Sequence, residues 1–186
     1  MTLLEMKKKV LQLIEEIDEA QASLTNDPDI EAKMHSVINA VMFEVARMKK
    51  IPAYIERAVT GGEMLDLNTI ENFYQLRMLR CTNENGEDAD YELFENMAVF
   101  KESGTVKIFY YKYPVSITDE TEDEYVFELT QDALEVMPYG IAGDLLKSDV
   151  STEYGAVYSA RYESMMQRLD PRYSMSSITI EGGVNI

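Results

Sequence analysis

In Met48-Lys49-Lys50-Ile51-Pro52-Ala53-Tyr54-Ile55-Glu56-Arg57-Ala58-Val59 the hydrophobic period changes, and the fold turns on that change. Upstream, Ile30, Met34, Val37, Ile38, Val41, Val45 and Met48 recur at spacings of three and four, one apolar stripe of a helix. Asp27 is placed to cap that helix, and Pro28 suits its first position. Lys49 and Lys50 favour its C-terminal dipole, and Pro52 ends it. From Ala53 onward the spacing is that of extended chain.

Working towards the N-terminus, Asn26-Asp27-Pro28-Asp29 is a break between two helices. Before it, Thr2-Leu3-Leu4-Glu5 has the spacing of a capping box. Leu3, Met6, Val10, Leu13, Ile17, Ala20 and Leu24 then form one seam, widened by Leu4, Leu11 and Ile14. A helix over 3–24 is expected, paired with the second as an antiparallel hairpin.

Working towards the C-terminus, Tyr54–Val59 and Met64–Leu67 flank Gly61-Gly62, the pattern of a hairpin. Leu76–Thr82, Met97–Phe100, Thr105–Tyr113 and Tyr125–Leu129 continue as strands, with turn signals at Asn83-Glu84-Asn85-Gly86 and Ser103-Gly104. Helix returns near Thr130 and is interrupted or restarted at Pro138, running to about Lys147. A last helix starts at Ser151, with Tyr154, Val157, Tyr158, Arg161 or Tyr162, Met165 and Leu169 on one face, and Asp170-Pro171 stops it. The expected fold is α+β and mainly helical. Residues 1–52 and 131–169 form an α-helical bundle, 53–130 an inserted small antiparallel β region, and 170–186 an extended C-terminal arm.

The 186 residues are 46% hydrophobic, enough for a core, and carry a formal charge of −17. The excess is local: residues 82–136 hold fifteen acids and three bases. Such a chain repels phosphates and anionic lipid, and no basic stripe interleaved with aromatics stands out along it. No apolar run reaches membrane-spanning length, and the start of the chain has no signal-peptide pattern, so a cytosolic protein is expected.

Chemistry-bearing motifs are scarce. His35 and Cys81 are the single histidine and cysteine, too few for a cysteine or histidine metal cluster or a disulfide. No phosphate loop, dinucleotide fingerprint or serine elbow follows a strand. No catalytic residue, metal or cofactor is therefore assigned. Asp119, Glu120, Glu122, Asp123 and Glu124 form the densest acidic run, which reads either as a solvated loop or as a negative wall past which DNA moves without sticking. The side-by-side carboxylates lack the mid-loop glycine of a calcium loop. Phe109, Tyr110, Tyr111 and Tyr113 read as two faces of a strand, one in the core and one at a rim. Ser176–Glu181 alternates like a strand with no hairpin partner, so Ile178 and Ile180, with Val184 and Ile186 beyond, suit addition to a sheet edge on another chain.

Three stretches carry a family likeness: Pro138-Tyr139-Gly140-Ile141-Ala142-Gly143-Asp144-Leu145-Leu146-Lys147-Ser148-Asp149, then Tyr162 through Leu169-Asp170-Pro171-Arg172-Tyr173, then the Ser/Ile/Gly tail. Together with Met48–Pro52 and Phe73–Arg77, they resemble the head–tail connector (adaptor, head completion) proteins of tailed phages and prophages. The resemblance implies a virion protein, assembled in the bacterial cytoplasm, with no catalytic activity. It implies a ring of copies, dodecameric to match the portal protein, that extends the DNA channel, passes packaged DNA without sequence-specific binding and receives the next neck or tail component. It places Asp170, Pro171, Arg172, Tyr173 and the arm at the portal or a neighbouring subunit, and the 119–124 acids at the channel or rim. A different class fits the charge: an acidic DNA mimic that occupies a host protein's nucleic-acid site. A carboxylate hydrolase is the third reading.

Overall fold

A computed structural model describes residues 1–148 and 152–169. These residues hold four α-helices and two three-stranded antiparallel sheets, 42% helix and 26% strand, so the protein is mixed α+β. The helices are α1 (Leu3–Leu13), α2 (Pro28–Met48), α3 (Gln131–Leu145) and α4 (Thr152–Leu169). The strands are β1 (Ile51–Val59), β2 (Met64–Asp66), β3 (Phe73–Asn83), β4 (Tyr91–Phe94), β5 (Met97–Phe100) and β6 (Gly104–Lys112).

Both ends of α1 follow from local chemistry. Thr2 and Glu5 make the reciprocal capping box. The helix stops at Leu13 rather than running to residue 24. The chain instead turns through Glu15 and Leu24 at positive φ, and the Asp18 carboxylate accepts from the Ala20 amide at 3.0 Å. Leu24 still reaches the core. In α2, Asp27 accepts from the Asp29 and Ile30 amides as a cap.

The helices share one buried cluster, including Leu3, Met6, Ile38, Val41, Met137 and Ile141. α1 and α2 both pack on α3, so the expected hairpin pair is replaced by contacts to a common partner. Pro138 lies inside α3 without ending it. The expected face of α4 holds in its second half, where Tyr162 and Leu169 are buried and Tyr158 and Met165 half-buried, but Tyr154 and Val157 point to solvent and Gly155 and Met166 point inward instead. Small residues set that register: a Cβ on Gly140 would lie 2.8 Å from the Tyr162 ring and 3.0 Å from Val41. Gly140→Ala is expected to cost about 1–3 kcal/mol of overpacking, read from urea unfolding.

Tyr162 donates to Glu44 Oε2 at 2.9 Å. Burial first, and then the Glu44 charge, push its phenol well above the ordinary range. A group raised in the folded state contributes stability that is present below its unfolded pKa, about 10 for tyrosine, and is lost as pH rises past it. Stability should therefore decline above about pH 10, and Tyr162→Phe should flatten that decline while costing about 1 kcal/mol at neutral pH. Urea midpoints across the alkaline range check both, and an equal decline in the variant would place its cause in other tyrosines.

The sheets have orders β1-β6-β3 and β2-β5-β4. The hairpin expected across Gly61-Gly62 does not form, because β1 pairs with β6 and β2 with β5. The glycine turn carries the chain from one sheet to the other, with the Gly62 amide held by the Phe100 carbonyl at 2.7 Å. β1 begins at Ile51 and tolerates Pro52 because it is an edge strand. The inward rows of the two sheets meet in a second buried cluster of Leu65, Leu67, Cys81, Phe100, Val106 and Ile108, which makes them a small sandwich. β4 was not anticipated, since its acid-rich flanks hide a strand of four residues.

Tyr125–Leu129 is not a strand. A single bridge joins Thr2 and Val126, and the Tyr125 carbonyl accepts from the Leu3 amide at 2.9 Å. Phe127 and Leu129 from this segment, and Ile117 ahead of it, join the helical core. The acidic run between them is thereby drawn onto the helices.

Candidate interaction surfaces

The acidic run starts from a built turn. The Thr121 amide donates to the Thr118 carbonyl at 3.0 Å, and the Thr118 amide donates to Thr121 Oγ1 at 2.9 Å. Just before it, Asn39 of α2 grips the Ile117 peptide from both sides, donating from Nδ2 to the carbonyl and accepting the amide, both at 2.7 Å. Asp119 reaches His35 Nδ1 at 3.0 Å. Asp123 pairs with Lys7 at 2.9 Å, and its carbonyl accepts from the Leu4 amide. Asp123 therefore turns towards α1, Asp119 touches His35 of α2 while staying fully exposed, and Glu120, Glu122 and Glu124 face solvent. This arrangement presents charge on a fixed loop rather than on a loose one. The signal missed in the sequence was its anchors, which lie 78 and 84 residues away in α2 and 116 away in α1.

Asp170, Pro171, Arg172, Tyr173, Ile178, Ile180, Val184 and Ile186 lie outside the described residues. What precedes them is packed: Leu169 is buried in the helical core with Met166 and Tyr162.

The structure does not bring His35 and Cys81 together. Cys81 is buried in the sandwich cluster, with burial first and Glu102 second raising its thiol pKa. His35 sits on the surface of α2. Among the described residues no three of His, Cys, Asp or Glu are gathered as a metal group. No described helix is long and apolar enough to cross a membrane.

Sequence reasoning missed the outer face of the β1-β6-β3 sheet. The aromatic run does split as expected: Tyr110 is buried, while Phe109 and Tyr111 take the opposite face. There Tyr54 stacks on Phe109 at 5.6 Å between ring centroids, and Met78 lies opposite Phe109 on the third strand. Register shifts in β3 around Tyr74 and Arg77 bring Arg77 to a shallow depression of about 310 Å³, shared with Pro52, Tyr54 and Phe109. Lys50 lies over the Tyr111 ring at 5.1 Å, and Lys107 and Arg80 form the adjacent row with Glu56. Cations and aromatics scattered over residues 50–111 thus share one face, a stripe that no single stretch of sequence displays.

A scan of protein-family models finds no match to this chain, and a search of curated proteins finds none.

Proposed function

We propose that this chain is a structural head–tail connector of a tailed phage or prophage, not an enzyme. In this reading its copies form a ring docked on the portal, dodecameric like it, which continues the DNA channel towards the neck and tail. The helices supply the bundle of that family, the sandwich is an insertion in it, and the arm from Asp170 grips the portal or a neighbouring subunit. Packaged DNA passes the exposed acids without sequence-specific contact, because like charge prevents phosphate binding.

The observation that carries the reading is where the resembling segments lie. Pro138–Leu146 and Tyr162–Leu169 lie on consecutive helices and meet at the α3–α4 contact, with Gly140 against the Tyr162 ring. Two of the parts resembling the connector family therefore pack together directly ahead of residues 170–186. The fixed acidic loop adds support, since a wall facing DNA has to hold its position. A DNA mimic fits less well, because the sheet face with Lys50, Arg77, Arg80 and Lys107 breaks any uniformly negative field.

The test uses portal rings from the same genome, mixed with the full chain or with a chain ending at Leu169 and read by sedimentation. The full chain should co-sediment and the truncated chain should not. Equal binding by both would remove the arm from the interface, and binding by neither would reject the connector.

A further inference from the structure

The sandwich has two outer faces, and they differ in charge. On the β1-β6-β3 side the strand rows place Arg77, Arg80 and Lys107 around Tyr54, Met78 and Phe109, with Glu56 as the one carboxylate in those rows. Arg77 and Arg80 make no ion pair among the described residues, although the chain has twice as many acids as bases. On the β2-β5-β4 side the outward rows are Met64, Val99 and Glu92, then Asp66, Met97 and Phe94. Met64 is 65% exposed and Phe94 60% exposed. Residues 84–95, which include β4, carry six acids and no base; within one molecule Glu92 pairs with Lys101 at 3.1 Å, as Lys107 on the other face pairs with Glu56 at 3.6 Å.

Charge on an edge strand such as β4 is ordinary protection against aggregation. A phenylalanine turned outward beside it is not explained that way. Apolar centres ringed by opposite charges are what complementary protein surfaces present. Because the inward rows of both sheets fill one core, the two outer faces point away from each other. One molecule cannot bring them together, whereas two copies can.

We propose that these faces dock between neighbouring copies of this chain. Phe94 of one copy seats in the depression beside Tyr54 and Arg77 of the next, and the acids around it face Arg77, Arg80 and Lys107. The contact is head-to-tail, so each copy uses both faces and a closed rotation gives a ring. Arginine is among the side chains that dominate interface energy, and phenylalanine is enriched at interfaces. The inference rests on the ring of the connector reading and names the surfaces that build it. The same cationic, aromatic face has the composition of a single-stranded nucleic-acid platform, but six acids close by in sequence and the overall charge oppose that occupant.

The test pairs two reversals, R77E/R80E and E92K/E95K, each confirmed folded by circular dichroism. Sedimentation velocity is run at low salt from micromolar to millimolar protein. Wild type should self-associate, less so as salt is raised, and each variant alone should associate at least ~10-fold more weakly. An equal mixture of the two should recover association, because each supplies the face the other has lost. A wild type that stays monomeric, a variant that associates like wild type, or a mixture that fails to recover would overturn the proposal. So would binding of a labelled single-stranded oligonucleotide that R77E/R80E abolishes while wild type stays monomeric. Portal rings separate this outcome from the connector reading. If R77E/R80E adds the same ring layer as wild type, the interface is wrong and the connector stands; if wild type adds no layer, the connector fails.

Discussion

Phe100→Ala is expected to destabilise the protein by about 3–5 kcal/mol, the largest effect of any single substitution considered. Phe100 is fully buried and among the largest side chains in that state. It lies on β5, the central strand of its sheet, and packs in the cluster that joins the two sheets. Truncation leaves a cavity between thin sheets that have little other material to close it. Urea unfolding gives the total loss. A local reading is available from Cys81, which is 3% exposed in the same cluster. Its reaction with a thiol reagent should speed up in the variant, because opening of the sandwich exposes it. A loss below about 1 kcal/mol with unchanged thiol reactivity would mean that Phe100 does not hold the sheets together.

Asn39→Ala is the second, at about 2–4 kcal/mol. The amide of Asn39 completes both hydrogen bonds of the Ile117 peptide at 2.7 Å, next to a side chain buried in the helical core. Alanine leaves an amide and a carbonyl without partners, and that penalty exceeds the modest value of a hydrogen bond made. The effect should also be local. The segment after Ile117 loses its anchor, so a glutamate-specific protease should cut at Glu120, Glu122 or Glu124 sooner than in wild type. Asn39→Asp keeps the acceptor but loses the donor, and should fall between the two. Equal cleavage in all three would show that the acidic loop is held by His35 and Lys7 alone.

These two sites mark how far the sequence could be read. The period change near Pro52, the capped start of α2 and the turn at Asn83–Gly86 were legible, because each is decided by neighbours. Asp27 caps the residues that follow it, and Asn83 Oδ1 accepts from the Asn85 and Glu87 amides. What sequence could not supply was partnership over distance. Gly61-Gly62 between two apolar runs is a fair hairpin signal, yet β1 finds its partner in β6 across the whole of β2 to β5. Apolar spacing carries the seam on to Leu24, while the break after Leu13, where Glu15 turns to positive φ, leaves no mark in that spacing. On α4 the spacing gives Tyr162 and Leu169 as buried but also Tyr154 and Val157, which are exposed, because the helix approaches over Gly140 and Gly143 of α3.

The candidate surfaces follow the same division. The acidic run was visible as composition, but its rigidity comes from Lys7, His35 and Asn39. The cationic face of the β1-β6-β3 sheet was invisible, because Lys50, Arg77, Arg80 and Lys107 meet only once three strands align. Alternation within each strand set which side every residue takes, and the pairing set which of them become neighbours.

The central claim is that this chain forms a ring on a portal, and electron microscopy of portal rings mixed with the full chain tests it most directly. The account predicts an added layer coaxial with the portal, with an open axial channel and the portal's own rotational symmetry. Bare portal rings at saturating protein, using the portal from the same genome, would contradict it.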